Sequence, residues 1–382
     1  MIPATVTTAL ALLSLALHAW QWLAGRRFPL RRDAPAVAGA PTVTILKPIG
    51  ALDEATEAAV ASWLKLKSPA RAEILFGVEA SDTSLHERLE NLIPANSGIP
   101  ARVIPCPAPS AAANPKVAKL IELEKHATHD CLIVSDADVV VEPDFLRRFL
   151  AEFAHSGAAA ACCLYRIRGG RSLAQKLEQA SNNIDFWSQV AQAVSMGPID
   201  FALGAVMAVS RDSLRRIGGF EGIAGHIADD FQLGNRIHRQ GGVIHVASMP
   251  VDCRHSAASA RDILRRQIRW ARTMRVCKPA PYFFSILSNP TIWPLGWFLT
   301  APTDPVHAAV FAGCVLLRVV LARRLAARFL GTDRTGGIEW LAPLRDLLHA
   351  LIWLSAFTGN RVVWGNRTYR LKPDGTMRPD PT

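Results

Sequence analysis

Charge is scarce in this chain. Asp, Glu, Lys and Arg make up only 20% of its 382 residues, against 50% hydrophobic residues and a mean hydropathy of +0.16. That balance excludes a disordered chain and disfavours an ordinary soluble domain. Aromatics are few too, at 7%, and no basic run is interleaved with them as a single-strand-binding groove requires, so nucleic acid is not an expected partner. The seven cysteines include no CxxC pair and no zinc-finger spacing, so they read as reduced, mostly buried thiols facing the cytoplasm. The histidines do not gather, which leaves zinc without a site. GxGxxG, Walker A and GxSxG are missing, which argues against dinucleotide enzymes, P-loop NTPases and α/β hydrolases. There is no internal repeat, and no low-complexity stretch beyond Pro107–Pro115.

What the chain does have is a basic excess, with a formal charge of +11. Its arginines crowd beside apolar stretches (Arg26, Arg27, Arg31, Arg32; Arg318, Arg323, Arg324, Arg328) as membrane-flanking charges do. Ile2 to Gly25 carries no acid or base apart from His18, long enough for a transmembrane helix at 1–25. The rival reading, a cleaved signal peptide, lacks a basic segment before the apolar run. The four arginines after it put the next domain on the cytoplasmic side. Apolar character returns at Tyr282–Ala301, Val306–Leu325 and Ile338–Phe357, interrupted by Pro290 and Pro294, by Arg318, and by Arg345, Asp346 and His349. Two full spans and one interfacial element are expected in 282–358, which keeps the basic tail 359–382 cytoplasmic.

Between Pro41 and Lys278, short apolar runs alternate with helical ones, the pattern of an α/β domain with a mostly parallel sheet. Strands are expected at Val43–Lys47, Glu73–Glu79, Arg102–Cys106, Cys131–Asp136, Ala160–Tyr165, Ala205–Val209 and Val243–Ala247. Helices are expected at Asp53–Lys67, Ser84–Leu92, Lys116–His126, Pro143–Ala154, Leu173–Val190, Arg211–Ile217 and Ala228–Gln240. Ligands of such folds bind at the carboxyl ends of the strands.

Acidic features fall at those ends. Asp82 follows the strand ending at Glu79, where it either accepts from a nucleobase or ribose or caps the next helix. The run Cys131-Leu-Ile-Val-Ser ends in Asp136-Ala-Asp138. Two carboxylates so spaced can direct oxygen toward one hard divalent cation, Mg²⁺ or Mn²⁺, that keeps positions open for diphosphate oxygens; the alternative is a polar turn. Asp229 and Asp230 open a helical pattern, so one can cap while the other serves as general base. The base is assigned to Asp230, with Asp229 in support. In Arg266-Gln-Ile-Arg269-Trp270, Arg269 can pair with a phosphate and Trp270 can line a sugar or acceptor pocket; the same segment also reads as an amphipathic interfacial helix.

The ordered series Asp82, Asn114-Pro-Lys116, Asp136-Ala-Asp138, Gly204 before Arg211-Asp212 and Ile217-Gly-Gly-Phe220, Asp229-Asp230 and Arg266-x-x-Arg269-Trp270 resembles the membrane glycosyltransferases of ceramide glucosyltransferase type, of glycosyltransferase families 2 and 21, including the bacterial hopanoid-associated branch. The resemblance covers about residues 42 to 275. It implies a GT-A fold at 41–278, a UDP-sugar donor, a divalent metal, inversion at the anomeric carbon, and a lipid hydroxyl acceptor (a hopanoid polyol or ceramide), on a multi-pass protein of the bacterial inner membrane. By the same analogy Asp82 and Asp136 serve nucleotide and metal, Lys116 lies near the donor phosphates, and Arg269 with Trp270 forms the (R/Q)xxRW element with Arg266. Two departures stand out: Ala-Asp-Asp replaces the frequent Ala-Glu-Asp, and Asp138 is a less constant position than Asp136 in such enzymes. A processive polysaccharide synthase shares the series but adds more spans. A non-catalytic lipid-binding scaffold would not need the acids.

Overall fold

The computed structural model describes residues 4–31, 41–67, 71–94, 97–110, 114–254, 258–331, 337–364 and 367–380. Its centre is an eight-stranded mixed sheet of β1 (Val43–Pro48), β2 (Ala72–Glu79), β3 (Ala101–Cys106), β4 (Cys131–Ser135), β5 (Val139–Val140), β6 (Ala160–Arg168), β7 (Val206–Ser210) and β8 (Ile244–Arg254), in the order β3-β2-β1-β4-β7-β6-β8-β5. The half from β3 to β4 is parallel; β7 runs against both its neighbours, and β5 against β8. β1 and β4 are buried along their whole length, as parallel strands covered on both faces must be. Side chains alternate between two cores with the period of two that a strand imposes. Leu46, Leu75, Leu132 and Val134 face one core, while Ile45, Ile74, Phe76 and Ile133 face the other.

Helices α3 (Thr83–Leu92) and α4 (Pro115–His126) pack on the β1–β3 half of the sheet, while α2 (Glu54–Leu64) and α5 (Phe145–Ser156) pack toward β5 and β8. They are followed by α6 (Leu173–Ala180), α7 (Trp187–Ser195), α8 (Arg211–Arg216), α9 (Asp229–Arg239) and α10 (Ala260–Cys277). The single helix expected over 173–190 is interrupted by a π-helical turn at Ser181–Phe186. There the Asn182 and Asn183 amides donate to the Tyr165 and Ile167 carbonyls of β6 at 2.7 and 2.8 Å, pinning the widened turn to the sheet.

The N-terminal helix α1 (Ala4–Arg27) and α13 (Pro305–Leu330) are the two helices among the described residues long and apolar enough to cross a membrane, by length and composition. They run side by side in the same direction. A Cβ on Gly25 would lie 2.9 Å from Leu325, and Arg328 donates to the carbonyls of Gly25 and Phe28 at 2.9 and 2.7 Å. The chain returns between them through α11 (Pro279–Phe284) and α12 (Ile292–Phe298), broken around Pro290. After α13 comes α14 (Ala342–Ser355), 14 residues or ~21 Å, short of the ~30 Å hydrocarbon core. Among the described residues, the second of the three apolar segments in 282–358 is one continuous helix of spanning length, while a break at Pro290 divides the first and the third is shorter than the core. Arg318, Arg345 and Asp346 within these segments are paired. Buried Arg318 donates to Asp185 of the π-turn at 2.9 Å and to Asp346 of α14 at 2.8 Å.

The basic tail is folded. Strands β9 (Arg361–Trp364), β10 (Arg367–Leu371) and β11 (Met377–Pro379) form an antiparallel sheet whose Val362, Tyr369, Leu371 and Met377 cluster with Ile227, just ahead of α9. Met377 N–H donates to the Gly225 carbonyl at 2.8 Å and Ile227 N–H to Gly375 at 3.3 Å.

Candidate active site

β1 and β4 end side by side, and the acids gather at that edge. The Asp136 N–H donates to the Ala205 carbonyl at 3.0 Å, which turns the chain as it leaves β4. Beneath the turn lies Lys47, fully buried on β1; its ammonium donates to Ser135 Oγ at 3.2 Å and to the Asp136 carbonyl at 2.5 Å, and stands over the Trp63 ring. Burial lowers its pKa to about 8, against the pull of Asp138 and Asp136. Lys47 went unnoticed in the sequence, where the one signal was a lone base inside an otherwise apolar strand.

Lys116 projects from the first turn of α4. Asn114 caps that helix, accepting from the N–H groups of Lys116 and Val117 at 2.9 and 3.3 Å, and Pro115 fills the first helical position, where no N–H is needed. The Asn114 amide also donates to the His226 carbonyl at 3.0 Å, tying α4 to the segment that leads into α9. Through this tie the Lys116 ammonium bridges Asp136 Oδ1 at 2.8 Å and Asp229 Oδ2 at 2.7 Å. Burial opposes its charge, but the two carboxylates outweigh that and hold its pKa above the ordinary value.

Two further acids lack so close a cation. Burial, and then the Asp136 charge, raises Asp138 to about 6. Asp230 also rises to about 6, through burial first and Asp229 second. Asp230 packs under Gly204, where a Cβ would stand 3.0 Å from its Oδ2; the small residue leaves room for the carboxylate. Arg269 on α10 is lowered to about 10 by burial and by Arg266, with Asp136, Asp229 and Asp230 acting the other way. Its guanidinium lies 5.3 Å from the centre of the Trp364 ring on β9, a second residue that the sequence did not point to.

The remaining expected residues have other partners. Asp82 is the N-cap of α3, its carboxylate accepting from Leu85 N–H at 3.0 Å, as the capping alternative requires. Arg266 is committed to α6: it pairs with the buried Glu178 through Nε at 2.8 Å and Nη2 at 2.5 Å, so it braces α10. Trp270 is 37% exposed, with the Arg266 guanidinium 5.9 Å from its ring centre.

Among the described residues no three His, Cys, Asp or Glu side chains form a group able to hold a metal alone. Asp136 and Asp138 are a partial set of hard oxygen donors, near enough for the Asp136 charge to add to burial in raising the Asp138 pKa. These two residues would fit a divalent cation.

A mixed α/β sheet with acids at the carboxyl ends of its strands is an architecture that binds ligands at that edge. The chain resembles the solved mannosyltransferase PcManGT from Pyrobaculum calidifontis, a structure in complex with GDP-Man and Mn²⁺, over 93% of this chain and 97% of that one, with a TM-score of 0.55 and 17% identity. At that identity the likeness speaks for the fold. The family is given by the sequence: residues 6–377 match the model of glycosyl transferase family 21, and the chain belongs to that family. It is a glycosyltransferase.

Proposed function

We propose that the protein is a membrane-bound inverting glycosyltransferase that moves a sugar from a UDP-sugar to the hydroxyl of a lipid, a hopanoid polyol or ceramide, at the cytoplasmic face of a bacterial inner membrane. The observation that carries this reading is the Lys116 bridge, which brings the Asp136 turn and the Asp229-Asp230 helix start together at one sheet edge. Asp136 and Asp138 would hold a divalent metal, which would supply charge neutralisation to the departing diphosphate. Lys116 and Arg269 hold the same phosphates by charge-assisted hydrogen bonds. Asp230, whose pKa of about 6 leaves it ionised yet basic near neutral pH, takes the proton of the acceptor hydroxyl. As the new bond to the anomeric carbon forms, the bond to the diphosphate oxygen breaks on the opposite side, and UDP departs. Asp229 keeps Lys116 in place, and Trp270 offers an exposed ring to the acceptor.

A lipid acceptor is supported by what adjoins α10. Phe283, Phe284, Leu351 and Leu354 present apolar side chains to solvent there, 53–66% exposed, an apolar face suited to a bilayer surface. With purified protein, Asp230→Asn is expected to bind the donor normally and to lose ~10²–10⁴-fold in transfer. A variant that retained full activity would defeat the base assignment. A panel of UDP- and GDP-sugars with extracted lipids identifies the donor and acceptor by product mass.

A further inference from the structure

We propose that the cleft between α1 and α13 binds the phosphate of an anionic phospholipid. This rests on the membrane reading above but concerns a site remote from the sugar-transfer edge. A cavity of 220 Å³ lies where the C-terminal turns of the two helices meet, lined by Trp22, Arg26, Arg324, Leu325 and Arg328. Three of its five lining residues are cationic. Among the described residues no carboxylate pairs with any of the three; Arg328 is held by the Gly25 and Phe28 carbonyls, and the Arg26 guanidinium lies 5.6 Å from the Trp22 ring centre.

The bland alternative is that arginines simply cap helix C-termini and follow the positive-inside bias. Arg328 does that work through its bonds to carbonyls. Arg26 and Arg324 make no such bond among the described residues and face the same cavity. The ligand class follows from what lies on either side. On α1, Leu12, Leu13 and Trp20 are exposed, and on α13 so are Leu316, Leu317 and Val320. Leu317 and Arg324 are seven residues apart, ~10 Å along a helix. A ligand spanning both would carry a phosphate at the arginines and acyl chains along that apolar face. A basic pocket beside membrane helices at the headgroup level is a recurring form of anionic-lipid site. The phosphate would replace the missing carboxylate as counter-ion, and Trp22 would sit at the interface, where indoles are favoured.

The test places full-length protein in nanodiscs of phosphatidylcholine with a minority of phosphatidylglycerol, and counts retained lipid by native mass spectrometry after release. Wild type is expected to retain phosphatidylglycerol several-fold above its share of the bilayer. Arg26→Gln/Arg324→Gln is expected to bring phosphatidylglycerol back to its share of the bilayer, and Arg324→Lys to keep part of the enrichment. Donor binding by calorimetry should be the same in all of them, which shows that each variant is folded. Retention of phosphatidylglycerol by wild type only in proportion to its share of the bilayer, undiminished enrichment in the double variant, or full displacement by millimolar inorganic phosphate would each overturn the lipid site. Failure of wild type to enter nanodiscs would instead overturn the membrane reading itself, so the two failures are distinguishable.

Discussion

Replacing Lys116 with glutamine removes the one ammonium that joins Asp136 to Asp229. The Asp136 side chain is 39% exposed, and water screens it once the lysine is gone; the Asp229 side chain, 10% exposed, has no such relief. Deleting one partner of a buried pair costs ~3–5 kcal/mol, and with only one end buried the lower figure applies. An unfolding entropy of ~2.1 cal/mol/K per residue, over a chain of this length, amounts to ~0.8 kcal/mol/K, so ~3 kcal/mol is a fall of ~4 °C in Tm. The assay is thermal unfolding in detergent with a chelator present, then with Mn²⁺ added. The same substitution leaves the acids free for a cation, so Mn²⁺ should raise Tm more in Lys116→Gln than in wild type, following ligand linkage. The reasoning fails if the variant melts within a degree of wild type under chelation, or if Mn²⁺ shifts both proteins equally.

With Asp230 as the proposed base and its pKa raised to about 6 by burial and Asp229, kcat/KM should fall about tenfold per pH unit below ~6. Asp229→Asn should move that inflection down, and a profile flat to pH 5 would exclude Asp230 as the titrating group. The same shift has a stability sign: a carboxyl raised from 3.8 favours the fold when protonated. That contribution therefore grows as pH drops from above 6 to below 4, and Asp230→Asn should abolish it. Gly234 lies inside α9, where a Cβ would stand 2.3 Å from Ala202 N and 2.4 Å from the Phe201 carbonyl carbon. Gly234→Ala should cost ~1–3 kcal/mol or more by overpacking, read as a lowered Tm, and an unchanged melt would show that the helix can shift.

The sheet was legible because buried parallel strands leave continuous apolar runs, and Cys131–Ser135 is one with its two acids directly after it. The cap of α3 was legible for the same local reason: Asp82 accepts from Leu85, three residues on. What the sequence hid is long-range. Lys47 is a strand residue whose partners, Ser135 and the Asp136 carbonyl, lie far along the chain. Arg266 belongs to the motif but spends its fork on Glu178, a pairing that spacing cannot reveal. The π-turn at Ser181–Phe186 inserts no recognisable residue; it exists because two asparagines reach β6. The tail, read as a basic terminus, folds because alternate positions Val362, Tyr369, Leu371 and Met377 find Ile227.

That small sheet also has a consequence for synthesis. The segment carrying the proposed reacting acids emerges from the ribosome well before Met377, whose amide holds Gly225, and before Trp364, whose ring stands beside Arg269. A nascent chain that has reached only α10 therefore holds those acids without the small sheet packed beside them. Transfer competence should appear only after residues 361–379 have been made.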